Sequence, residues 1–172
     1  NTTKLLQDAG IHFAGVTDYP QTIFEVNGLT VGFCAFSPNR GTVSINDLAF
    51  AKKIVRDLDS KVDIVVVSFH GGGEGLAHQR ITKQTEIYLG ENRGNPYQFA
   101  RDMIDAGADV ILGHGPHVTR AIDLYKNKFN HLLHYLCEDI TNSEYANYSM
   151  DYFNLNLISI NANSCFVAIS LG

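Results

Sequence analysis

The 172-residue sequence predicts an α/β domain built on a mixed sheet. Three observations predict it. Residues 64–69 and 110–112 are short apolar runs rich in β-branched side chains, the pattern of strands covered on both faces. Each run follows a segment whose apolar residues recur at helical spacing. Asn27-Gly28 then separates two further strand-like runs, a strong hairpin signal because both turn positions favour positive φ. The resulting order is strand, helix, strand, helix, strand, followed by hairpins.

Taken in order, residues 3–9 read as the end of a helix with Leu5, Leu6 and Ala9 on one side and Gly10 as its stop. Residues 11–16 form a short strand, and 22–26 and 29–36 are the arms of the hairpin. Asn46 or Asp47 caps a helix reaching about Asp59, with Leu48, Ala51, Val55 and Leu58 inward and Lys52, Lys53 and Arg56 outward. After the strand that ends at His70, the glycine-rich stretch 71–95 carries a short helix near 78–88. Asn95 as N-cap and Pro96 at the first helical position open the next helix, which buries Phe99, Met103 and Ile104 and stops at Gly107. The strand leading to His114 follows at once. Residues 118–125 read as a strand with a turn near Asn127, residues 130–151 lack a period, and 155–160 with 166–171 close the chain as a hairpin.

Bulk composition removes several function classes. The net charge is −5 and no basic block exists, so nucleic-acid binding has little electrostatic support. No stretch approaches the ~18 apolar residues of a membrane span. Cys34, Cys137 and Cys165 are far apart and form no CxxC pair, so buried free thiols are expected rather than a thiolate zinc site. The chain begins at Asn1 without a methionine, as a fragment or a processed chain would.

The chemistry concentrates in two loops, each directly after a buried strand. The first is Ser68-Phe69-His70-Gly71-Gly72-Gly73-Glu74, and the second is Gly113-His114-Gly115-Pro116-His117. Carboxyl ends of strands are where α/β proteins place their sites. Right-handed crossovers keep parallel strand ends together, so both loops are expected on one edge of the sheet. Imidazole is a frequent metal ligand, and His70, His114 and His117 together with Glu74 can converge on one ion. An ordinary polar loop is the competing explanation for the His114–His117 spacing, and a hydrogen-bonded histidine in a flexible loop is the competing one for His70. Gly72 and its neighbours leave room for backbone N–H groups to approach an anion. Glu74 either orients a ligand imidazole and moves protons or is a solvated loop acid. Arg93 and Arg120 either clamp a phosphate or carboxylate or are surface charge, and Arg120 is favoured because it lies three residues past His117. His12 is expected to be structural and His78 to be on a helix surface.

Five segments in order, Asp8-Ala9-Gly10-Ile11, Ser68-Phe69-His70-Gly71-Gly72 with Glu74, Gly90-Glu91-Asn92-Arg93-Gly94-Asn95, Asp105-Ala106-Gly107-Ala108-Asp109-Val110 and Gly113-His114-Gly115-Pro116-His117-Val118, carry a resemblance. The sequence resembles the CapA, or poly-γ-glutamate capsule-synthesis, family of calcineurin-like metallophosphatases, over roughly three quarters of its length. The resemblance implies a mixed-sheet β-sandwich flanked by helices, incomplete at the N-terminus, carrying a dinuclear centre of Mn, Fe or Zn. It places metal ligands at His70, His114 and His117; the family's early ligands, an Asp at a strand end, an Asn and an Asn-Asn-His motif, have no match here. Residues 1–172 would then be one partial domain whose segment 130–172 matches poorly: where the family reads Tyr-Ser-Leu-Gly-Asn-Phe, this chain reads His131-Leu132-Leu133-His134-Tyr135-Leu136.

By the same resemblance, the expected activity is hydrolysis of a phosphoester or a γ-glutamyl polymer bond in capsule synthesis at the cell envelope. Glu74 and Arg120 would be catalytic, and Gly72, Arg93 and Arg120 would bind an anionic polymer or phosphoester substrate. Capsule-export proteins are the expected partners. The chain by itself, with half the site absent, is expected to be inactive. The alternative is a non-catalytic envelope-assembly module that keeps the fold and binds the polymer.

Overall fold

A computed structural model describes residues 2–131, 155–159 and 167–171. Helix α1 (Thr2–Asp8) leads into strand β1 (His12–Ala14), followed by the hairpin β2 (Gln21–Val26) and β3 (Leu29–Phe36). Helix α2 (Leu48–Asp59), strand β4 (Ile64–His70), a single 3₁₀ turn at Leu76–His78 and the two-residue strands β5 (Ile87–Tyr88) and β6 (Glu91–Asn92) come next. Helix α3 (Pro96–Ala106), strand β7 (Val110–His114) and the hairpin β8 (Ile122–Tyr125) and β9 (Lys128–His131) complete the central part. Strands β10 (Leu155–Ser159) and β11 (Val167–Leu171) close it.

Six strands form the main sheet in the order β2-β3-β4-β7-β9-β8. The β3-β4, β4-β7 and β7-β9 pairs are parallel, while the β2-β3 and β8-β9 hairpins are antiparallel, so the sheet is mixed as expected. A smaller sheet, β1-β11-β10, is antiparallel throughout. Two successive crossovers step the same way across the main sheet, from β3 through α2 to β4 and on through α3 to β7. Right-handed connections therefore set both helices on one face.

Side-chain alternation sorts the core into two layers. Cys34, Phe36, Val65, Val67, Phe69 and Ile111 point toward the helices and meet Ala51, Val55 and Leu58 of α2 and Phe99, Ala100 and Met103 of α3. Val31, Phe33, Ala35, Val66 and Val110 point the other way and pack with Phe24 and with Ala14 of β1, so the small sheet approaches this second face. Each fully buried aromatic or aliphatic side chain contributes roughly 1.5–3 kcal/mol.

The local signals behave as their chemistry dictates. Asn27 and Gly28 adopt φ of 51° and 81°, the left-handed pair that a tight hairpin needs. Asp47 caps α2 by accepting from the Phe50 N–H at 3.0 Å, and Asn95 caps α3 by accepting from Gln98 N–H at 3.1 Å. The acid preceding each buried strand also has work to do. Asp63 Oδ2 accepts from the Thr30 N–H and hydroxyl, and Asp109 Oδ2 accepts from the Val65 N–H, stitching each strand start to its neighbour.

Three expectations need correction. Only Leu6 of α1 is buried, Leu5 is 68% exposed and Ala9 beyond it is exposed too, so the expected apolar side of this seven-residue helix is covered at one position alone. The expected helix at 78–88 is a 3₁₀ turn followed by extended chain. Its backbone bonds run to other loops instead of along a helix, with Glu86 N–H donating to the Gly94 carbonyl and Arg93 N–H to the Glu86 carbonyl. Strand β8 starts later than the expected residue 118, and β9, which the sequence did not announce, lies parallel beside β7. The aperiodic segment 130–151, from residue 132 onward, and two of the cysteines, Cys137 and Cys165, fall outside the described residues; Cys34 is buried as a free thiol.

Candidate functional site

Strands β4 and β7 pair in parallel so that His70 stands directly opposite His114. Both have the same parity as Val66 and Val110, so they sit at strand ends on the face turned away from the helices. Their rings lie 5.4 Å apart, edge to face. His114 Nε2 is 3.2 Å from Ser68 Oγ, two residues back along β4 on that same face. Burial, reinforced by Arg93 and His117, depresses the His70 pKa to about 4, and burial reinforced by His70 depresses that of His114 to about 3. Both rings are therefore neutral near pH 7, the form that ligates metals.

Arg93 comes from the loop after β6. Its Nη1 donates to His70 Nε2 at 3.1 Å and lies 3.2 Å from Glu74 Oε1, while Nε is 2.5 Å from Glu91 Oε2. Arginine has no acceptor, so His70 Nε2 accepts and the ring proton resides on Nδ1. Glu74 Oε2 lies 3.8 Å from His117 Nε2. His117 itself holds a φ of 54°, an unusual value for a non-glycine residue. A Cβ on Gly115 would come within 3.0 Å of the His70 ring, so this loop closes tightly over it.

The chain thus brings together His70, His114, His117, Glu74 and Arg93. Among the described residues no group of three or more His, Cys, Asp or Glu side chains is arranged to hold a metal ion. The donor chemistry nevertheless suits a divalent cation: two neutral imidazoles face each other, with a third imidazole and a carboxylate alongside. The Arg93 guanidinium lies against His70 Nε2 and Glu74, so an ion bound by His70 through Nε2 would have to displace Arg93 from that nitrogen.

Arg120 and the glycine loop are placed differently from the simplest expectation. Arg120 is 6% exposed, and its two Nη atoms donate to Glu86 Oε2 at 3.0 Å and Oε1 at 2.7 Å. The loop N–H groups are engaged within the protein: Gly71 donates to the His114 carbonyl, Gly72 to the Arg93 carbonyl and Gly73 to Glu86 Oε2. A side chain at Gly72 would be strained, because its φ is 82° and a Cβ would stand 2.6 Å from Arg120 Nη1 and push on that guanidinium. His12 stacks on Phe24 at 4.8 Å, the structural role expected of it. His78 lies on the 3₁₀ turn beside the Tyr88 ring, not on a helix.

Residues 1–137 match the family described as bacterial capsule synthesis protein PGA_cap. The chain belongs to this family. It is 31% identical over 147 residues to the capsule biosynthesis protein CapA of Bacillus anthracis, covering 73% of this chain and 32% of that protein. It is also 31% identical over 112 residues to the PGA biosynthesis protein CapA of Bacillus subtilis (strain 168), covering 59% and 26%. This PGA_cap chain thus spans about a third or less of the length of these curated relatives. Among solved structures it aligns with a candidate 5′-nucleotidase of Staphylococcus aureus, crystallised with alpha-ketoglutarate, at 16% identity and a TM-score of 0.45, covering 70% of this chain and 25% of the other.

Two residues of this candidate site escape a reading of the sequence. Ser68 stands within the first histidine segment but draws no role of its own from the sequence, although its parity with His70 puts it on the same face. Glu86 lay in a stretch expected to be helical, and nothing in its neighbourhood marks it as the partner of Arg120.

Proposed function

We propose that this chain forms part of a metal-dependent hydrolase of capsule biosynthesis, acting at the cell envelope on a phosphoester or a γ-glutamyl polymer bond. The observation that supports this reading is the in-register pair His70 and His114, two neutral imidazoles at neighbouring parallel strand ends, in a chain of the capsule-synthesis family. His70, His114 and His117 would hold a divalent ion, with further donors from outside the described residues completing a dinuclear centre. Bound Mn, Fe or Zn would supply Lewis acidity and neutralise charge at the reacting centre. Glu74, 3.8 Å from His117 Nε2, would orient that ring or carry a proton. Arg93, already within reach of His70 and Glu74, would meet the anionic group of the substrate through its planar fork. Gly72 and Arg120 would serve the site by shaping the loops around it.

A second reading, a non-catalytic assembly module that binds the polymer, is favoured by one observation: Arg93 fills the acceptor position of His70. Metal binding separates the two. Dialysed protein is expected to take up Mn²⁺ or Zn²⁺ in fixed stoichiometry by isothermal titration, and His70→Ala or His114→Ala to lose that uptake. In the hydrolase reading the loaded full-length protein also cleaves a chromogenic phosphodiester or a γ-glutamyl peptide. Absence of metal uptake, together with normal capsule formation by a His117→Ala strain, would establish the module instead.

A further inference from the structure

We infer that Glu86 is the positioning residue of the site, acting through Arg120 and the Gly73 N–H to hold three loops in one arrangement. Its carboxylate receives two bonds from the Arg120 fork, at 3.0 and 2.7 Å, and a third from Gly73 N–H at 2.7 Å. The Arg120 and Glu86 side chains are 0% and 3% exposed. Arg120 Nη2 also donates to the Arg80 carbonyl at 3.1 Å.

The three loops are those that carry the proposed chemistry. Gly73 adjoins Glu74 in the loop after His70. Arg120 ends the segment that presents His117. The Glu86 backbone itself bridges to the third loop, its N–H donating to the Gly94 carbonyl at 2.8 Å and its carbonyl accepting from Arg93 N–H at 2.9 Å. One carboxylate and its own peptide groups therefore connect the stretches bearing Glu74, Arg93 and His117. A fork-on-fork pair fixes orientation as well as distance, and a buried pair best justifies its desolvation when it specifies one conformation. Gly72 packs against the same pair: a Cβ there would fall 3.1 Å from Glu86 Oε2. The Glu86 carboxylate has no hydrogen bond to the side chains of His70, His114, His117, Glu74 or Arg93, so its action is indirect. The part of this inference that concerns metal rests on the reading given above; the loop order does not.

The test uses hydrogen exchange by mass spectrometry on the whole protein, with Mn²⁺ titration alongside. In Glu86→Gln, peptides covering 71–75, 86–94 and 115–120 are expected to exchange about tenfold faster or more while β3 and β4 keep their protection. Mn²⁺ affinity is expected to fall by about tenfold or more. The paired variant Glu86→Met with Arg120→Leu removes the buried charges together. It is expected to melt near the wild-type temperature yet retain loose loops. Wild-type exchange in those three segments in either variant, or faster exchange spread evenly over the core strands, overturns the proposal. So does failure of both variants to fold, since the pair would then serve the fold as a whole. Should the wild-type protein take up no Mn²⁺, the hydrolase reading fails while the exchange pattern still decides the role of Glu86.

Discussion

His70 and His114 are held neutral mainly because burial makes their charged forms costly, and that preference couples the site to pH. The unfolded chain binds protons at these rings near the ordinary value of 6.5, whereas the folded chain resists until about 4 for His70 and about 3 for His114. Below 6.5 the unfolded state therefore holds more protons, and stability present at neutral pH is lost as pH falls through that window. We expect the urea midpoint to drop between pH 6.5 and roughly 4.5, before carboxylates titrate, with a total loss on the order of a few kcal/mol by pH 3. A midpoint that stays level from pH 7 to roughly 4.5 would contradict the neutral pair. Zn²⁺ or Mn²⁺ bound at these rings should steepen the acid dependence, because protons and metal compete for the same nitrogens.

Among the elements, α3 shows how a readable sequence becomes a structural keystone. Asn95 and Pro96 announce its start, and its stripe of Phe99, Met103 and Ile104 is the face that the sheet receives. Phe99 is the centre of that contact, 5.3 Å from the Phe36 ring and 5.2 Å from the Phe69 ring. Phe99→Ala is expected to cost about 3–5 kcal/mol in urea unfolding. Because Phe69 precedes His70, the loss should be accompanied by altered His70 imidazole shifts in the NMR spectrum. The segment 76–94 teaches the opposite lesson. Its residues have no local period, and its conformation is set by bonds to Arg120, Gly72 and Gly73 that only the assembled fold supplies. That is why the expected helix there is absent and why Glu86 was not legible.

For the molecule as a whole, the main sheet separates a helix-covered face from one approached by β1, and Cys34 sits on the helix side of β3 at 0% exposure. Burial pushes its thiol well above the ordinary cysteine range. Iodoacetamide is expected to leave Cys34 unmodified in the native protein and to label it at the rate of global opening, as read by peptide mass spectrometry. Fast labelling in native buffer would show that α2 and α3 do not close over the sheet. Among the described residues no helix is long and apolar enough to cross a membrane.

The sequence by itself determined the parts whose cause is local. Apolar period marked α2, α3 and both histidine strands, Asn27-Gly28 marked the hairpin, and Asn46-Asp47, Asn95 and Pro96 marked the helix starts, because each depends on a few neighbouring residues. The approach of His70 to His114 was expected from crossover handedness, but their one-to-one register was decided only by the pairing of β4 with β7. Tertiary structure alone also decided that Arg120 turns inward to Glu86 and that Arg93 reaches His70, since a buried charge goes where folding leaves it a partner of opposite charge or a free acceptor.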